Sequence, residues 1–215
     1  MNRENLNQYK KIFIYLVIYI CLSAVIVHFN LNRFYLIFNL GLSFIPYIIT
    51  SFSLVHKNSL IIAILALLIG TIFYPNALYM FTDFIHIKTR EYYIFNRQVQ
   101  YIMDYVVWVK LCVDVLMITL SLILSYETFV NFLKILRCYN HIFPSTVILL
   151  IYSALTGIAI YIGRFMRFNS WDILNIRDIT TNILTNSTQN DYYLIALFSI
   201  MHFVLILLFK NFRDR

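Results

Sequence analysis

Residues 12–29 read IFIYLVIYICLSAVIVHF, a run with no Asp, Glu, Lys or Arg. A helix needs about 20 apolar residues to cross the hydrocarbon core of a bilayer, so this run is long enough to span. Lys10 and Lys11 precede it and no small-x-small cleavage site follows, so it reads as an anchored helix rather than a secretory signal. Five further runs follow: Phe34 to Val55, Leu60 to Phe81, Tyr101 to Tyr126, Ser145 to Phe168 and Tyr192 to Phe209. The predicted fold is all-α, an integral membrane bundle of six transmembrane helices. No segment repeats and no Gly/Ser/Pro-rich linker interrupts the chain, so residues 1–215 read as a single transmembrane domain.

Composition agrees. The 215 residues are 61% hydrophobic and only 13% charged, whereas soluble domains are about a quarter charged. So few charges cannot cover a water-facing surface. That excludes a soluble enzyme domain, a disordered chain and a nucleic-acid module. The net charge of +7 comes from basic residues spread along the chain, which is no nucleic-acid patch. In a membrane protein such residues report orientation. Six spans put both termini on one side, with nine basic residues there (Arg3, Lys10, Lys11, Lys57, Lys134, Arg137, Lys210, Arg213, Arg215). The opposite side holds seven (Arg33, Lys88, Arg90, Arg97, Arg164, Arg167, Arg177). The bias predicts cytoplasmic termini. Cys21, Cys112 and Cys138 are far apart and read as packing residues; no metal spacing and no cofactor motif occurs.

Two connections carry helical patterns. Glu127 to Arg137 extends the fourth span with Phe129, Phe132, Leu133 and Leu136 on one side, an amphipathic stretch expected on the inner membrane surface. Asp172 to Leu184 gathers its isoleucines on one face, which predicts a short interfacial helix after the fifth span.

Three groups of residues could carry chemistry. In the first, Pro75 breaks the third span, and Tyr79, Asp83, His86 and Arg90 follow at spacings that share a helical face. Asp83 and His86 could share a proton or a metal, or simply meet the headgroups at a helix end. In the second, Arg164 and Arg167 point the same way near Asn169, Trp171 and Asp172. Guanidinium forks suit phosphate or carboxylate; the plainer readings are snorkelling arginines, an Asn169–Asp172 helix cap and an interfacial Trp171. In the third, Asp104 opens the fourth span, and Lys110 and Asp114 lie deeper as an expected intramembrane pair. A charge at that depth costs at least ~2.5 kcal/mol. Six-span topology brings Asn39, Asn76, Asp83, His86, Asp104, Arg164, Arg167, Asn169 and Asp172 to the same membrane face, the one away from the termini. That convergence favours a site.

The stretches Phe73-Tyr-Pro-Asn-Ala-Leu-Tyr79, Thr82-Asp83, and Gly163-Arg-Phe-Met-Arg-Phe-Asn-Ser-Trp-Asp172 resemble those of the bacterial domain-of-unknown-function family 1361, small multi-pass membrane proteins. Asn39 to Pro46 is similar to the family's second-helix motif. Leu78 stands where the family usually has a second proline, and Lys110 and Asp114 match nothing in its pattern. The resemblance implies a bacterial cell-membrane location and weight on the outer-face residues, but no activity. The expected function is binding of a small anionic or lipid-headgroup ligand at that face, within the lipid bilayer and alongside a membrane partner protein in an envelope assembly. The rival expectations are a hydrolase or transferase acting on a lipid-linked substrate through Asp83 and His86, and a small-solute or ion transporter using Asp114.

Overall fold

The computed structural model describes residues 3–56, 59–96, 98–168 and 187–213, together with Arg177, Thr181 and Thr185. The helices are α1 (Arg3–His28), α2 (Phe34–Val55), α3 (Leu60–Phe73), α4 (Pro75–Tyr79), α5 (Tyr105–Ile135), α6 (Ile142–Arg164) and α7 (Gln189–Arg213). Among the described residues, six segments are long and apolar enough to cross a membrane, with Leu60–His86 counting as one. The interfacial helix expected over Asp172 to Leu184 falls outside the described residues, apart from Arg177 and Thr181.

The third span is composite. Pro75 has no N–H to continue the α-helix, and Ala77 N bonds to the Tyr74 carbonyl at 3.3 Å. The Asn76 side-chain amide donates to the Phe73 carbonyl at 3.0 Å and so serves the broken turn. Beyond α4 the chain tightens into a 3-10 helix, Met80–His86. The expected α-helical stripe of Tyr79, Asp83, His86 and Arg90 therefore dissolves. Asp83 and His86 stay together because a 3-10 helix repeats every third residue, while Arg90 belongs to a separate 3-10 turn, Thr89–Glu91.

Two short strands follow, β1 (Tyr93–Asn96) and β2 (Gln98–Tyr101), antiparallel with Tyr93 opposite Tyr101. Every residue in both strands is exposed. This hairpin marks the membrane face opposite the termini. Strand β2 takes Tyr101, which the apolar pattern assigned to the fourth span, and Asp104 caps the helix, so that span starts at Tyr105 and not at Tyr101.

Helix α5 is the centre of the bundle. Its 31 residues are about 46 Å long at 1.5 Å per residue. Near the hairpin face, Val113, Met117, Ile118, Leu120 and Leu124 pack with Ile26 of α1 and Leu36, Leu40 and Phe44 of α2. Near the termini face, Tyr126, Phe129, Phe132 and Leu133 pack with Tyr74, Leu149 of α6 and Ile206 of α7. The inner stretch is thus not a surface helix as its amphipathic pattern suggested. Tyr126 through Leu133 are all buried. The polar side of the pattern meets other helices: Asn131 Nδ2 donates to Thr50 and Ser51 hydroxyls at 3.1 Å each, and Lys11 donates to Glu127 at 2.9 Å. Its apolar side meets α3, α6 and α7.

The α6–α7 seam depends on one missing side chain. A Cβ built on Gly157 would lie 2.1 Å from Ser199 Oγ and 2.5 Å from the Ile195 carbonyl oxygen. Small residues let membrane helices approach at this range. Nearby, buried His202 of α7 lies 2.7 Å from the Tyr74 hydroxyl and 2.8 Å from the Ser153 hydroxyl, which ties α7 to the third span and to α6. Gly157→Val should force α6 and α7 apart at a backbone contact that cannot yield, costing about 1–3 kcal/mol or more. Thermal unfolding in detergent measures it, and a melting point equal to wild type would mean the seam is not as tight as described.

Candidate functional site

Arg164 ends α6 and is the hub of the polar cluster. Its Nε and Nη2 donate to Thr82 Oγ1 at 2.8 and 2.5 Å, and Nη2 also donates to Asp83 Oδ1. The other Asp83 oxygen accepts from Asn39 Nδ2 of α2 at 3.1 Å. Thr82 in turn donates to the Tyr79 carbonyl at 2.6 Å. Three spans therefore meet at one carboxylate whose side chain is only 2% exposed. Arg164 also sits over an aromatic ring, with Cζ 4.3 Å from the Tyr79 centroid. Gly163 makes room for that ring: a Cβ there would stand 3.1 Å from Tyr79 Cε2.

His86 edges the cluster. Its Nε2 lies 3.9 Å from Asp83 Oδ1 and 3.4 Å from Arg164 Nη1, and its ring packs edge-on to Tyr35. It is about half exposed, at 46% of its side chain. Arg164 Nη1 has only this long contact, so it is the guanidinium nitrogen left for a ligand among the described residues.

Beside the cluster lies a cavity of about 530 Å³ between α2 and α6, floored by the third span. Asn39, Asn76, Tyr79, Asp83, His86 and Arg164 line its polar end. Leu42, Ile72, Leu155, Ile158, Ala159 and Ile162 form the apolar remainder. Phe38, Leu155 and Ile158 also belong to the exposed apolar surface, so the cavity opens sideways toward the bilayer.

The structure thus brings together Asn76, Asp83, His86 and Arg164 of the expected site. It separates Asp104, which precedes α5 and caps it, accepting from Val106 N at 3.0 Å while exposed. The reason is the later helix start: an Asp just outside a helix is held by the unpaired N–H groups of the first turn. Arg167 is exposed, has a left-handed backbone (φ 63°), and makes no ion pair or side-chain hydrogen bond among the described residues. Asn169, Trp171 and Asp172 lie outside the described residues.

The intramembrane pair is different from the expected one. Asp114 is partnered by Arg33, whose Nε donates to both carboxylate oxygens at 3.0 and 3.2 Å. Lys110 donates to Glu91 of the second 3-10 turn instead. That bond holds the Glu91 carboxyl below its ordinary range. Lys one turn before Asp is the poorer order for an intrahelical pair, and Arg33 approaches from the loop ahead of α2. A buried carboxylate needs a cation, and Arg33 is the basic residue next to a neighbouring span. That proximity is the signal that could have identified it.

The fold and the placement of its charges define a multi-pass membrane protein of the helix-bundle class, with a polar cluster buried at one membrane face. Within that class the chain belongs to the family described as Protein of unknown function (DUF1361), whose profile matches residues 38–207. That match covers the elements around the cavity. No curated protein and no solved structure gives a match.

The cluster makes a specific energetic demand. Removing Arg164 alone strands the Asp83 carboxylate, and removing Asp83 alone strands a guanidinium. Each should cost about 3–5 kcal/mol. Asp83→Leu combined with Arg164→Leu should cost less than the sum of the two single changes. Additive losses in unfolding measurements would show that the two charges do not depend on each other.

Proposed function

We propose that the α2–α6 cavity binds an amphiphile with an anionic headgroup, as part of a cell-envelope assembly. The observation that carries this reading is the cavity's polarity gradient: charged and amide groups at one end, aliphatic walls along the rest, and an opening to the bilayer. A headgroup would sit by Arg164 Nη1, His86 and the Asn76 amide, while its chain would follow Leu42, Leu155 and Ile158. A lipid could arrive laterally without leaving the membrane.

The same geometry gives less to the rival readings. Asp83 is already claimed by Arg164 and Asn39, so a hydrolase or transferase would lack its free acid. Asp114 is held by both oxygens on Arg33, so a transporter would first have to break a buried ion pair.

A photoreactive phospholipid in the surrounding bilayer should crosslink to the cavity walls at Leu42 and Leu155. Ala159→Phe fills the cavity without touching the charged cluster. It should leave insertion and melting near wild type while suppressing the crosslink. Undiminished crosslinking at Leu42 and Leu155 in Ala159→Phe would defeat the amphiphile reading.

For orientation, we infer a bacterial cell-membrane protein with both termini in the cytoplasm, on the basic bias of the termini face and the family resemblance. A cysteine introduced at Gln189, in a variant lacking the three native cysteines, should then react with an impermeant thiol reagent in intact cells. Labelling only after lysis would reverse the orientation.

A further inference from the structure

A second and larger cavity, about 990 Å³, lies at the opposite membrane face, where the termini emerge. It is bounded by the first turns of α1, the end of α2, the start of α3 and the end of α5. Its lining includes Lys11, Lys134 and Arg137, and no carboxylate among the described residues. The nearby Glu127 sits inside the bundle and receives Lys11, and the Lys134 ammonium lies 5.3 Å from the Tyr139 ring centroid, so Arg137 is the lining cation with no ion pair among the described residues. Asn5 and Asn7 add neutral amide groups, and Leu60 and Ile135 contribute apolar wall.

Arg137 is the most telling member. It follows the last turn of α5, where Cys138 N bonds back to the Leu133 carbonyl at 2.8 Å. Such a helix end places one residue in the left-handed region, and Arg137 has φ 58°. Glycine adopts that conformation without steric cost, and a residue with a side chain does not. Local stability therefore favours glycine here. The chain instead sets an exposed guanidinium on the rim of a basic cavity, where its side chain makes no ion pair or hydrogen bond among the described residues.

We propose that this termini-face cavity is a binding site for a phosphate ester, held by the Arg137 fork, with Lys134 and Lys11 on the same wall. A planar guanidinium can take two phosphate oxygens at once, while lysines act as point charges. The mixed wall suits a phosphate joined to a short apolar part. Two sources share that chemistry: a soluble phosphoester, and the headgroup of an anionic phospholipid in the adjacent leaflet. The site is independent of the α2–α6 cavity, which lies at the other face.

The test uses the full chain in phosphatidylcholine nanodiscs. One arm titrates glycerol 3-phosphate by calorimetry. The other replaces part of the lipid with phosphatidylglycerol and counts the phosphatidylglycerol retained, by native mass spectrometry. Two variants accompany wild type. Arg137→Gly relieves the left-handed backbone, so it should melt at or above wild type, yet bind at least about tenfold more weakly, the loss of a charge-assisted hydrogen bond. Ser59→Asp keeps a side-chain cap on α3, where Ser59 now accepts from Ile62 N, but sets a carboxylate in the cavity wall. It should bind weakly while staying folded. Ala159→Phe, which fills the α2–α6 cavity, should bind glycerol 3-phosphate like wild type, and the retained phosphatidylglycerol is counted in that background so that it reports the termini face alone. Binding of glycerol 3-phosphate assigns the soluble source, and retention of phosphatidylglycerol alone assigns the lipid. No preference over phosphatidylcholine in either arm, or wild-type binding by both Arg137→Gly and Ser59→Asp, overturns the proposal.

Discussion

A carboxylate buried near the hydrocarbon cannot stay ionised without a cation and hydrogen-bond donors around it. Asp83 meets this constraint by drawing Arg164 from α6 and Asn39 from α2 onto the same group. Thr82 and Tyr79, both from the stretch after Pro75, support the guanidinium from below and from its face. The geometry of the hairpin face follows. Helices α2 and α6 are held at their ends through the third span, and the space left between them becomes the cavity.

The break at Pro75 makes that arrangement possible. A continuous α-helix would carry Thr82 and Asp83 on around the helix axis. The tight 3-10 segment brings them under Arg164, and Gly163 lets the Tyr79 ring approach α6 closely enough to be stacked upon. Asn76 belongs both to this mechanism and to the cavity, because its amide repairs the broken turn while it lines the polar end. The same logic recurs along α5. Ser121 meets Ser43 at 3.0 Å and donates to the Ala77 carbonyl at 2.8 Å, so the central helix holds α2 and the short α4 together. Further down, Asn131 and Glu127 satisfy α2 and α1. Asn39, Ser121 and Asn131 are thus polar groups that find partners on other spans.

The six spans, their order and the position of the break were legible in the sequence, because an uninterrupted apolar run has one physical outcome in a bilayer and proline has one missing donor. Asp83 and Arg164 were legible as candidates because charged groups next to apolar runs are costly and need a reason, and the two are paired. Two places whose surroundings the sequence misread were Tyr101 and the stretch from Glu127. Tyr101 is apolar enough for a span but pairs across a hairpin, since strand pairing depends on a partner eight residues earlier. Glu127 and Asn131 look water-facing because one-dimensional pattern cannot tell water from a polar neighbour.

What the sequence determined by itself is the class of the protein: membrane-embedded, helical, six-spanning, with charge kept mainly to the ends. Those properties depend on local composition and length. Only the tertiary structure decided which charges meet. Lys110 and Asp114 are one turn apart in sequence, yet Asp114 takes Arg33 and Lys110 takes Glu91. Asp104 was expected among the converging outer-face residues and instead caps α5. The two cavities, one ending in a paired guanidinium and one rimmed by Arg137, exist only where helices distant in the chain diverge. Ion-pair choice depends on distances of a few ångströms between side chains on different helices, and helix packing sets those distances.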